Sequence, residues 1–111
     1  MTITKPQVTH SITEYEVSFL PEDHDAYIAF VVRVVYKGRG RWAVERGGVN
    51  YNAEAVGSYQ PLPSEREENW LDEHRFDLQN AFDVAEEVAL RLKVNGYSVL
   101  DVLNDKHRSE D

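Results

Sequence analysis

The residues of this chain most able to do chemistry are its four histidines, at positions 10, 24, 74 and 107, and its 20 acidic side chains. Two short runs bring imidazole and carboxylate together. Asp23-His24-Asp25 sets two carboxylates beside one imidazole, the make-up of an acid–base pair or a metal site. Neighbours in sequence rarely converge on one ion, however, and polar residues of this kind are what a turn contains. Asp72-Glu73-His74 is the second run. On a helix Asp72 and Glu73 diverge, and a metal-binding pair would need partners four residues apart on one face. Glu86-Glu87 reads as the solvent face of a helix. For all three runs the simpler reading is solvated surface, and neither a metal nor a cofactor is expected.

Other reactive groups are missing or badly placed. The chain has no cysteine, which removes disulfides, thiolate metal sites and cysteine nucleophiles. Gly38-Arg39-Gly40 lacks a third glycine and joins two strands rather than opening a helix, so neither nucleotide-binding loop is present. Serines at 11, 18, 58, 64, 98 and 109 fall in strand, loop or cap contexts, with no nucleophile elbow around any of them. An enzyme is therefore not expected. A small enzyme centred on His74 or His24 with neighbouring carboxylates stands only as a distant alternative.

Charge and aromatic content point toward binding. The formal net charge is −8, which opposes general attraction to nucleic acid. The charge is also uneven. Arg33, Lys37, Arg39, Arg41 and Arg46 face the single acid Glu45, a local balance of +4. Glu65, Glu67, Glu68, Asp72, Glu73, Asp77, Asp83, Glu86 and Glu87 are opposed only by Arg66 and Arg75, for −7. Such runs usually serve solubility, but an acidic surface also steers a basic partner. Two Trp, six Tyr and four Phe share a small core. Phe19, Phe30, Trp70 and Phe82 are its candidates. Tyr15, Tyr27, Tyr36, Tyr51 and Tyr59 cannot all lie beneath one helix, so Tyr27, Ala29, Val31, Val35 and Tyr51 are candidates for an open apolar sheet face.

The elements that must hold these residues follow from periodicity. Thr9 to Phe19 alternates with period two, as a half-buried strand does. Pro21 to His24 is a polar turn, and Asp25 to Tyr36 reads as a central strand apolar on both faces. Lys37 to Gly40 turns into a strand at Arg41 to Arg46, and Gly47-Gly48 turns again into a strand from Val49 to Tyr59. Beyond Gln60 to Ser64 the pattern becomes helical. Ser64 with Glu67 forms a capping box for a short acidic helix from about Glu65 to His74. Asp77 is the N-cap of the main helix, which reaches about Leu92 with Leu78, Ala81, Phe82, Ala85, Val88, Ala89 and Leu92 on one stripe. Asn95-Gly96 stops it, and Ser98 with Asp101 caps a last short helix. The expected fold is α+β: a four-stranded antiparallel meander followed by two to three helices on one face, in a single domain spanning residues 1–111. Residues 1–8 and 104–111 are expected to fray. Neither a signal peptide nor a membrane span is apparent, so a cytoplasmic protein is expected.

Several stretches resemble small uncharacterised proteins encoded by phages of actinobacteria. They are Arg41-Trp42-Ala43-Val44, Tyr59-Gln60-Pro61-Leu62-Pro63-Ser64, Trp70-Leu71, His74-Arg75-Phe76-Asp77-Leu78 and Val94-Asn95-Gly96. The resemblance spans about Arg41 to Val102 and rests on core and turn residues. It implies a setting, an accessory phage protein in a bacterial host cytoplasm, and carries no catalytic residue with it.

The expected function is that of a non-enzymatic protein-binding factor. Its candidate contacts are Glu67, Glu68, Asp72 and Glu73 on the first helix, or Tyr27, Val31 and Tyr51 on the sheet. A homodimer through the sheet face satisfies the same pattern. The alternative is a DNA-mimicking inhibitor of a nucleic-acid-binding protein, its acids standing in for phosphates. Direct nucleic-acid contact would use Arg39, Arg41 and Trp42, a basic turn beside an aromatic. The net charge argues against it.

Overall fold

The computed structural model describes residues 6–59, 61 and 68–104. The strand content of the first half folds into one antiparallel sheet of five strands, in the order β1-β2-β3-β4-β5. These are β1 (Glu14–Val17), β2 (Val32–Gly38), β3 (Arg41–Arg46), β4 (Val49–Tyr51) and β5 (Gly57–Tyr59). Three helices follow: α1 (Glu68–Glu73), α2 (Leu78–Arg91) and α3 (Val99–Asn104). A small hairpin of β6 (Lys93–Val94) and β7 (Tyr97–Ser98) lies between the last two. The architecture is an α+β meander with helices, as the pattern of the chain predicts. No helix among the described residues is long and apolar enough to cross a membrane.

The differences from expectation have local causes. The strand expected from Thr9 to Phe19 is regular only over Glu14–Val17. There Ser18 Oγ accepts the Leu20 N–H at 3.1 Å and breaks the alternation. Leu20 consequently enters the core, 4% exposed, and Phe19 is left 45% exposed, so Phe19 is not the core residue its position suggests. The central strand likewise begins late. His24 Nδ1 accepts the Ala26 N–H at 3.0 Å, and Tyr27 N–H bonds back to the His24 carbonyl. The polar turn therefore runs on into a single 3-10 turn over Tyr27–Phe30 before β2 begins. The stretch Val49 to Tyr59, expected as one strand, is two. Asn52 Oδ1 accepts both Glu54 N–H and Val56 N–H at 3.0 Å, and Ala55 adopts φ 62°, which folds the chain back on itself. Gly57 opposes Tyr51 in the resulting pair, and a Cβ there would lie 2.5 Å from Val49 Cγ1, so only glycine permits this close approach.

The main core lies between the sheet and α2. Asp77 caps that helix as predicted, its Oδ1 accepting the Asn80 N–H at 2.8 Å. Ala81, Val84, Ala85, Val88 and Ala89 then pack on Val32, Val34, Trp42 and Val44. Tyr15 leans on both Trp42 and Phe82, with ring centroids 5.6 and 5.1 Å apart. Asn95-Gly96 does not end α2. With φ values of 53° and 84° it closes the β6–β7 hairpin, the role for which Asn-Gly is best suited. Leu92 leaves the helix in extended conformation three residues earlier. The reciprocal cap foreseen at Ser98 and Asp101 is formed, Asp101 Oδ2 accepting Ser98 N–H and Ser98 Oγ accepting Asp101 N–H. Behind this hairpin a second small core gathers Leu20, Phe30 and Val99.

Candidate functional site

Helix α2 covers one face of the sheet. Val32 and Val34 face the helix, so Val31, Arg33 and Val35 alternate to the other side. That side is laced with charge. Arg33 reaches Glu14 at 3.7 Å and Glu45 at 3.4 Å, and Lys37 reaches Glu45 at 3.4 Å. Among the described residues that side carries no uninterrupted apolar patch. The three sheet candidates are also separated. Tyr27 sits on the 3-10 turn, packs against the second core and donates its hydroxyl to Glu16 at 3.1 Å. Tyr51 packs against the main core. Val31 alone borders the open face. Burial raises the pKa of Tyr51, partly offset by the charge of Arg46. Tyr27 is raised as well, by desolvation and then by its bond to Glu16.

The basic hairpin also loses its aromatic. Trp42 is buried, flanked by the tilted rings of Tyr15 and Tyr36, and cannot meet a base. Arg41 is engaged with Asp72 at 3.3 Å. Arg39 stays exposed at the tip of the turn, in a left-handed conformation with φ 55°.

The acidic candidates lie where α1 meets the β4–β5 hairpin. Glu67 lies outside the described residues, and Glu68 stands at the head of α1. Asp72 and Glu73 are exposed on its last turn. What holds them there is the buried His74, 5% exposed. Its ring stacks on Trp70 with centroids 4.2 Å apart and planes 12° from parallel. Nδ1 lies 2.7 Å from the Trp70 carbonyl and must carry the proton, because a carbonyl only accepts. In neutral imidazole Nε2 is then an acceptor, facing the Ser58 hydroxyl at 3.4 Å. Arg75 continues the network: Nη1 donates to the His74 carbonyl at 2.8 Å and to Asn50 Oδ1 at 3.3 Å, with Cζ 5.5 Å above the Trp70 ring. Asn50 is itself buried. The next residue, Phe76, bridges to Trp42 through two backbone bonds of 2.7 and 2.9 Å.

This anchoring opens a cleft of about 520 Å³ lined by Ala53, Glu54, Asp72, Glu73, Arg75 and Phe76, among others. Three carboxylates thus meet one guanidinium over a partly apolar wall. Glu54 comes from the turn between β4 and β5 and was not a candidate in the sequence. Asn50, Ser58 and Arg75 were missed too, since contacts across 16 and 25 residues leave no mark in local spacing. His24 holds its turn through Nδ1, which accepts the Ala26 N–H, and has no carboxylate within ion-pair distance among the described residues. Among the described residues no group of three or more His, Asp or Glu is arranged to hold a metal ion. No family model, curated protein or solved structure matches the chain. Function must then be sought in its own side chains.

Proposed function

We propose that the protein is a non-enzymatic binding factor whose cleft beside α1 takes a basic segment of a partner protein. The observation that carries this is the placing of Glu54, Asp72 and Glu73 around one open cleft with Phe76 in its wall. Carboxylates there meet Lys or Arg heads, while the apolar wall takes their methylene stems. Of the acids, Asp72 alone has a cation within ion-pair distance among the described residues, and that pair with Arg41 is exposed and readily exchanged. The resemblance to small actinobacteriophage proteins suggests the setting of an accessory factor in the host cytoplasm, acting on a host or phage protein.

A DNA mimic is less well supported. It needs free carboxylates in series, and Glu87 is held by Arg91 at 2.7 Å while Glu45 is shared by Arg33 and Lys37. A homodimer through the open sheet face would bury that same charged ladder. The test is capture of partners from actinobacterial lysate treated with nuclease, eluted by stepwise salt. Wild-type protein should retain one protein that salt releases, and the triple variant Glu54→Lys, Asp72→Lys, Glu73→Lys should not retain it. Equal retention by the variant would end the proposal.

A further inference from the structure

A second cleft, of about 310 Å³, lies where the 3-10 turn runs into β2 and β3 runs into the Gly47-Gly48 turn; it is lined by Ile28, Val31, Arg33, Arg46 and Gly47. Its chemistry is opposite to that of the first. Arg46 is partly buried, and its Nη2 donates to the Ala29 carbonyl at 2.8 Å, closing the open end of the 3-10 turn. That bond fixes the guanidinium while using one of its five N–H donors. Arg33, Arg41 and Arg91 each have a carboxylate within 4 Å, whereas Arg46 has none among the described residues. Ile28 is 86% exposed although its neighbours Tyr27, Ala29 and Phe30 all pack into the second core. The turn therefore holds an aliphatic side chain out in water beside a pre-positioned cation that has no carboxylate within 4 Å among the described residues.

We infer that this cleft docks an acidic, aliphatic segment of a partner protein, a carboxylate on Arg46 and an adjoining Leu- or Ile-like side chain on Ile28 and Val31. A guanidinium fork matches a carboxylate in two parallel bonds, and the side chain entropy for that contact is already largely lost. Polyanions fit less well. Glu14 and Glu45 flank Arg33, and the net charge of −8 repels an extended phosphate backbone but little affects one carboxylate at contact. The inference is independent of the acidic cleft.

Titration of the 15N-labelled protein with a terminally blocked Gly-Leu-Asp-Leu-Gly peptide tests it. Saturable amide shifts are expected at Ile28, Val31, Gly47 and Gly48. Arg46→Gln should weaken binding about tenfold, the loss of a charge-assisted bond. Because Arg46 also secures the turn, Ile28→Ser provides the second arm: it touches no internal bond and should weaken binding about fivefold, as loss of one apolar contact does. The inference is overturned by failure to saturate, by an equal response to Gly-Leu-Lys-Leu-Gly, or by unchanged affinity in both variants. It is equally overturned if acetate alone gives the same shifts, which would make this a plain carboxylate site, or if a ten-residue oligothymidylate binds more tightly than the peptide.

Discussion

Replacing His74 tests the anchor on which the acidic cleft depends. His74→Ala removes the ring stacked 4.2 Å from Trp70, the 2.7 Å bond to the Trp70 carbonyl and the long contact to Ser58. Aromatic stacking contributes about 0.5–1.5 kcal/mol and a neutral hydrogen bond about as much. The void left by a ring only 5% exposed adds to both, so the total loss should be about 2–4 kcal/mol. For a domain of this size that lowers Tm by roughly 10 °C. His74→Phe separates the contributions, keeping the stack and losing only the bond, for about 1–2 kcal/mol. Ser58→Ala should cost less than about 0.5 kcal/mol, because 3.4 Å is at the limit of a hydrogen bond. Urea unfolding followed by tryptophan fluorescence, with calorimetry beside it, reads all three. The reasoning is refuted if His74→Ala stays within about 0.5 kcal/mol of wild type, or if His74→Phe is as damaging as His74→Ala.

Four further outcomes follow from particular contacts. Gly57→Ala places a Cβ 2.5 Å from Val49 Cγ1 and should destabilise by about 1–3 kcal/mol, measured by urea unfolding. Arg39→Gly relieves a left-handed residue at an exposed turn and should stabilise by up to about 1 kcal/mol in the same assay, with no change in partner binding. The Ser98 backbone N–H and then its hydroxyl hold the Asp101 carboxyl below its ordinary range. Its contribution is therefore present above that range, about pH 4, and is lost as pH falls through the depressed folded value. Protection factors of the α3 amides, corrected for the intrinsic exchange rate at each pH, should fall on acidification, and Asp101→Asn should show the low protection already at pH 7. Tyr51 has the reverse sign: its folded pKa is raised by burial, so its contribution holds below about pH 10 and fades as pH rises through the folded value. Tyr51→Phe should flatten the alkaline limb of a Tm–pH curve.

Much of this architecture was legible in the chain. The stripe on α2, its Asp77 cap, the β3 strand and the Ser98–Asp101 box are all set by residues within four positions of one another, and each forms where periodicity places it. The errors share a cause. At Ser18, His24 and Asn52 a side chain captures one or two nearby backbone N–H groups, and that local bonding outweighs the alternating pattern around it. The hydrophobic residues then fall on faces that alternation does not predict, as Leu20 and Phe19 show. The sites were less legible still. Asp72 and Glu73 stood out by charge, but Glu54 joins them only because the Asn52 turn folds back, and Arg46 becomes distinctive only through the Ala29 carbonyl 17 residues away. Trp42 misled for a related reason: its basic neighbours suggested exposure, whereas Tyr15 and Tyr36 pack on its ring and Phe76 pairs with its backbone.

Leu92 packs against both hydrophobic clusters, the broad one under α2 and the small one formed by Leu20, Phe30 and Val99. Among the described residues it is the one hydrophobic side chain the two clusters share, and with the Arg46–Ala29 and Tyr27–Glu16 bonds it makes a thin seam between two units of unequal size. The smaller unit should open on its own, releasing α3 and the 3-10 turn while the sheet and α2 stay folded, so amide protection should fall into two tiers rather than one. Occupancy felt at one edge of that unit would then register throughout it. A ligand seated against Ile28 would slow exchange in α3 without touching it, simply by holding shut the cluster that both elements share.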